Sequence, residues 1–499
     1  MADYLHGAYG QINDAGNRVA DIGQQAIVYI GTAPVNQVEG GANYVNKPVL
    51  IQNIAEAKKF FGYSDDWAAF TLCEAMYTHL QNKAVGPIVL INVLDPAVHK
   101  AAEKTTKSVT PVNGKATVAD AELAIIDTLV VKSGSTTKTK GTDYSVSYNP
   151  GTKALTIAEL TAGALGTTAL TIEYFAADPA AVTTAQVVGQ TDGLGTNTGI
   201  YAVKSVYQAT GKIPAFLAAP GFSSIPEVNT ALCNLAQKIN KHWDAYVYAD
   251  LPLVNGSTPI TLATAVTFKN ANGYNRENET VYFPMVTGTD GRNYHISTLA
   301  AANFQELLLG QDGIPFRSAS NTACPIISNL YLGDTFTGVV DDELINDYLN
   351  KNGIASACFV GGRWAIWGAH SADYSQAADR DIISVAETNR MMLFYVSNDF
   401  QARRPLDVDR PMTANDLETI AAEEQARLDA LVKIGALLYG EVTLNATAMT
   451  DADIINGDFS FTFNITTTPL AKSLTALVNW TDIGFVTYFS NGTAEEVTV

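Results

Sequence analysis

An apolar segment near the C-terminus, residues 483–489, alternates like a strand but has no obvious partner nearby in the sequence. That feature constrains the chain most, because an unpaired apolar strand is a site of aggregation unless another edge receives it. The stretch before it is conventional. Thr413 can cap a helix whose first turn carries Asp416. Leu417, Ile420, Ala421, Leu428, Leu431, Val432 and Leu438 then fall on one stripe at helical spacing, with Gly440 as the expected stop. Next, Phe459, Phe461, Phe463 and Ile465 alternate with Ser460, Thr462, Asn464 and Thr466, the period of a half-buried strand. The segment at 483–489 can pair with this chain's own sheet or, by strand addition, with that of another copy.

The remainder reads as a large α/β core with insertions. Apolar runs at 26–30, 48–51, 87–94, 213–219 and 245–249 are strands of buried type. Helical patterns at 55–61, 66–82 and 226–241 lie between them, and strand–helix–strand order favours parallel pairing. Residues 105–182 differ in texture. They are rich in Thr, Val and Gly, with turn signals at 113–114, 133–134 and 149–151, and strands at 143–148, 154–157 and 169–174. The segment 250–335 is mixed. Strands at 357–360 and 364–367 and a helix over 376–396 precede the C-terminal helix.

The expected organisation is α/β (α+β) and multidomain: a mixed-sheet core, an inserted all-β module, a C-terminal α+β domain and extended terminal arms. The boundaries are 1–25 for an N-terminal arm, 26–104 plus 183–350 for the core, 105–182 for the insertion, 351–480 for the C-terminal domain and 481–499 for the second arm. In the first arm Tyr4, Leu5, Tyr9, Ile12 and Val19 suit a segment that docks on something.

The chemistry of most functional classes is missing. A net charge of −19 disfavours nucleic acid, which needs a cationic footprint. Nucleotide, zinc-protease and serine-hydrolase motifs do not occur, and the histidines stand at no ligand spacing. Neither a metal nor a cofactor is therefore expected. Cys73, Cys233, Cys324 and Cys358 form no close pair and read as buried free thiols. No run approaches the length of a membrane helix, and residues 1–6 have neither the basic nor the apolar part of a secretion signal, so neither membrane insertion nor export is expected. Arg403, Arg404 and Arg410 form a local cationic cluster in this acidic chain, either a solvated loop or a contact to an acidic partner.

Several stretches, in order, resemble the tail sheath proteins of contractile bacteriophages and phage-tail-like bacteriocins. They are residues 3–9 with 12–19, residues 26–33 with 46–53, Trp367-Gly368 before a helix, and 411–417 with the helix and strand that follow. Ala369, His370 and Ser371 stand where the family has an Arg-Thr turn. The resemblance covers 1–100 and 360–499, and leaves 105–182 and 250–350 uncovered. It implies a structural subunit, not an enzyme, that forms stacked rings and a helical cylinder around an inner tail tube. The cylinder contracts to drive that tube through a cell envelope. Further partners would be baseplate and tail terminator proteins. The particle, a virion tail or phage-tail-like device, would assemble in the bacterial host cytoplasm. It also implies that Tyr4, Leu5, Tyr9, Ile12 and Val19, with Ile483, Phe485, Thr487 and Phe489, act as inter-subunit arms. Phe459, Phe461, Phe463 and Ile465 would receive them, and Arg403, Arg404 or Arg410 would touch the tube. Two alternatives stay open: a static self-assembling surface or adhesive protein, and an enzyme with a dispersed acidic site.

Overall fold

The computed structural model describes residues 24–376, 382–445 and 449–485. The described residues through Thr468 form one compact unit, and those from Pro469 form another. In the first, eight strands make one sheet, in the order Pro48–Ile51, Ile88–Asn92, Gln25–Gly31, Ile213–Ala218, Tyr246–Asp250, Glu279–Tyr282, Ile354–Val360, Arg363–Trp367. The interior pairings are parallel and the two edge pairings antiparallel. Every residue of the five strands from 88–92 across to 279–282 is buried. Four of these strands read as largely apolar runs because both faces of a parallel sheet are covered; the fifth, Glu279–Tyr282, opens on buried Glu279 and Thr280 and shows no such run. The expected unit of strand, helix and parallel strand is present, with the helix spanning Pro226–Ala236 and ending short of the expected 241.

The expected core boundary at 351 is too early. Strands Ile354–Val360 and Arg363–Trp367 complete the main sheet, so the core extends past 367. The segment 250–350 also belongs to the core. Helix Ile296–Leu309 is buried almost all round, which erases the one-sided pattern that marks a surface helix.

The insertion has its own core, built around Val131, Tyr144, Leu155, Ile157, Leu170 and Ile172. It closes where Lys100 pairs with Ala177, earlier at both ends than expected. Its first strand, Lys100–Val109, is too polar and exposed to show an apolar alternation.

Three helix expectations are corrected. The pattern at 66–82 becomes a short α-helix, Leu72–Ala75, running into a π-wound turn at Met76–Asn82. The helix expected at 376–396 is Glu387–Arg403, because Glu387 is held inside by Thr280 and Ser318. The C-terminal helix is Ala414–Lys433, with Thr413 and Asp416 capping each other as expected. It stops at Gly435 (φ +78°), not at Gly440. Leu438 and Gly440 instead lie in the strand Leu437–Leu444.

In the second unit, residues 469–481 have no regular secondary structure, and Leu474, Leu477, Val478 and Trp480 are exposed. Of the strand expected at 483–489, Ile483, Gly484 and Phe485 are helical rather than extended, and residues 486–489 lie outside the described residues. A strand needs an edge to pair with, whereas a turn closes its own bond, here Phe485 N–H to the Asp482 carbonyl at 2.9 Å.

Candidate assembly surface

Two helices and two strands build the surface that the sequence singled out. Strands Leu437–Leu444 and Phe461–Thr467 pair antiparallel as a sheet of their own. One face rests on helices 387–403 and 414–433. Val442, Phe463 and Ile465 pack there with Met392, Leu428 and Leu431. Phe400 meets Phe463 edge to face at 5.4 Å between centroids. Thr462, Asn464 and Thr466 alternate with these apolar residues along the strand.

Two polar ties hold this layer in place. Asn398 clamps residue 244 of the core, its Oδ1 accepting from Asp244 N–H at 3.0 Å and its Nδ2 donating to the Asp244 carbonyl at 2.8 Å. Buried Glu424 joins the two helices. Its oxygens accept from Arg403 Nη1 and Nη2, both at 2.6 Å, and from Arg404 Nε at 2.8 Å. Burial works to raise the Glu424 pKa, but the hydrogen bonds from both arginines outweigh it and hold the carboxyl below its usual range. Arg403 also bonds Asp399, and Arg404 bonds Asp407 and Glu423. The expected cationic cluster is thus two helix-tying arginines plus Arg410, which pairs with Asp407 while its side chain stays 63% exposed.

The ladder register identifies the open edge. Gly440 lies opposite Ile465, Val442 opposite Phe463 and Leu444 opposite Phe461. The Gly440 carbonyl and the Val442 N–H bond the Gln425 side chain, so they point away from the partner strand. Opposed residues of such a pair both face outward. The backbone groups of Phe461, Phe463 and Ile465 therefore point to the outer edge, where no described residue pairs with them. In agreement, Ser460 accepts inward from Asn445 N–H at 3.0 Å. Beside this edge runs a groove of about 540 Å³. Leu393, Val396 and Phe400 line one side, and Phe459, Phe461 and Phe463 the other. A third strand laid along this edge would drop alternate side chains into the groove.

Phe459, Phe461, Phe463 and Ile465 thus come together as a groove wall. Tyr4, Leu5, Tyr9, Ile12, Val19, Thr487 and Phe489 lie outside the described residues. Ile483 and Phe485 are mostly exposed in the second unit. Sequence reasoning missed Gln425, Glu424, Asn398 and Gly440. Only Gly440 carried a signal, since a glycine inside a strand marks close backbone approach.

Among the described residues, no group of three or more His, Cys, Asp or Glu could hold a metal, and no helix is long and apolar enough to cross a membrane. All four cysteines are buried free thiols, as expected.

No protein-family model matches the chain. The tail sheath protein of Burkholderia phage BcepMu is 26% identical over 495 residues, covering 95% of this chain and 96% of that protein. This chain resembles tail sheath proteins from end to end. Solved structures agree in fold. A chain of the anti-feeding prophage (AFP) baseplate matches at a TM-score of 0.55 and 14% identity, covering 96% of this chain and 100% of that one. A chain of the PVC sheath complex of an extracellular contractile injection system, in its contracted state, matches at 0.52 and 12% identity, covering 97% and 99%. The similarity therefore also spans residues 105–182 and 250–350, which the sequence motifs left uncovered.

Proposed function

We propose that this chain is the structural subunit of a contractile tail sheath, in a virion tail or phage-tail-like particle assembled in the bacterial host cytoplasm. Copies stack as rings into a helical cylinder around an inner tail tube, between baseplate and tail terminator proteins. Shortening of the cylinder drives the tube through a cell envelope, with no catalysis and no cofactor. A head-to-tail contact that does not close on itself builds such a filament.

The observation that carries this reading is the whole-length match to the BcepMu tail sheath protein. The open edge at Phe461, Phe463 and Ile465 supports a mechanism of linkage. Terminal arms of neighbouring copies, drawn from 1–25 and 481–499, add strands along it. The string of exposed apolar side chains at Leu474, Leu477, Val478 and Trp480 supports a segment that is covered on assembly. Since Arg403 and Arg404 are engaged with Glu424, Arg410 is the cation proposed to reach the tube.

Negative-stain electron microscopy of the purified chain tests this, with and without residues 483–499. Striated hollow cylinders from the intact chain, lost on truncation, are expected. Cylinders that survive truncation would remove the C-terminal arm from the linkage. Small closed oligomers alone, even with tube present, would overturn the sheath reading.

A further inference from the structure

A two-stranded sheet has two edges, and both are templates for another chain. Here they are treated differently. The edge of strand 461–467 is open beside an apolar groove. On the opposite edge, the Gln425 side chain from helix 414–433 takes the place of a neighbouring strand. Its Nε2 donates to the Gly440 carbonyl at 3.0 Å, and its Oε1 accepts from Val442 N–H at 2.8 Å. Asp429, one turn along the same helix, accepts a second bond from Nε2 at 2.8 Å. That bond orients the amide, because its nitrogen faces two acceptors and its oxygen faces the one donor.

We propose that Gln425 makes strand addition one-sided: its carboxamide closes the outer edge of 437–444, so that another copy's strand is received only along 461–467. This rests on the strand-addition reading above and names the residue that restricts it. The restriction matters for an ordered lattice. A second receptive edge would admit donors outside the one ladder that grows from 461–467, or would pair edge to edge with another copy, and either contact would branch the assembly. A main-chain ladder discriminates poorly between partners, since every backbone offers the same groups. Specificity therefore depends on which groups remain free. A side-chain amide suits this task because it presents the same donor and acceptor as a peptide group but cannot propagate a ladder.

The test uses the full chain with Gln425→Ala and, as a milder change, Gln425→Glu, which keeps the acceptor for Val442 and loses the donor to Gly440. Before assembly, amide hydrogen exchange should show Val442 protected in the parent chain. In Gln425→Ala it should exchange at least tenfold faster, with Glu441 and Thr443, which face the partner strand, unchanged. A general loss of protection would mark a folding defect, and the Gln425→Glu chain then decides. Under assembly conditions the variants should give branched or laterally joined particles where the parent gives cylinders of one diameter. Cylinders with parental diameter and length, from a folded Gln425→Ala chain with a faster Val442 amide or from a folded Gln425→Glu chain, would overturn the proposal. So would a Val442 amide that is unprotected in the parent. Failure of the underlying reading looks different: the Phe461, Phe463 and Ile465 amides would gain no protection when the parent chain assembles.

Discussion

A methyl group at Gly440 would stand 2.8 Å from Cβ of Leu428 and 3.1 Å from its Cδ1. The strand 437–444 can approach helix 414–433 only because residue 440 has no side chain. Gly440→Ala should therefore destabilise the chain by about 1–3 kcal/mol, the usual cost of overpacking a fitted contact. Denaturant unfolding measures it. Combined with Leu428→Ala, the two costs should be less than additive, because the smaller helix residue removes the clash.

Glu424 gives the contact between the two helices an acid limit. Its pKa is depressed when folded, so its contribution is present above the ordinary glutamate value of about 4.3 and is lost as pH falls through the folded value. Glu424→Gln removes the carboxylate that both guanidinium groups share, leaving Arg403 to Asp399 and Arg404 to Asp407 and Glu423, and should cost about 1–3 kcal/mol at neutral pH. Unfolding midpoints of parent and variant should converge as pH falls below the carboxylate range. Curves that stay parallel would show that Glu424 is not the titrating group.

His295 sets an opposite limit. Burial lowers its pKa, but the Glu74 carboxylate, bonded to Nδ1 at 2.7 Å, and nearby Asp250 raise it further, to about 9. A group raised in the folded state stabilises fully below its unfolded value of about 6.5, and that stabilisation is lost as pH rises through about 9. Thermal unfolding should show a decline over this alkaline window that Glu74→Gln removes. Histidine resonances followed by NMR titration would check the assignment directly.

The insertion should be dispensable for folding. Lys100 and Ala177 are ladder partners, so a short turn can replace the residues between them. The core would lose the bonds that Asn36 Nδ2 donates to the carbonyls of Glu122 and Ala124, and the one from Ser64 Oγ to Glu122 at 2.6 Å. A Tm lower by a few degrees, with cooperative unfolding kept, is the expected outcome in calorimetry. Cylinders should still form in electron microscopy.

Much of this protein is written in short-range pattern. The reciprocal cap of Thr413 and Asp416, the buried runs at 25–31, 88–92 and 213–218, and the alternation at 461–465 all depend on residues a few positions apart. Helical period, strand period and capping are local physics, so composition and spacing sufficed for them. Tertiary structure decided the rest. Gly440 reads as a helix stop until the strand it occupies meets Leu428. Arg403 and Arg404 read as a free cationic patch until Glu424 arrives from another helix. Strands 354–360 and 363–367 join the main sheet rather than the C-terminal layer because their partner, 279–282, lies some seventy residues earlier in the chain. Which edge of the small sheet stays open depends on one glutamine side chain. Edges, buried charges and close approaches are properties of what meets across space, and no window along the chain contains both partners.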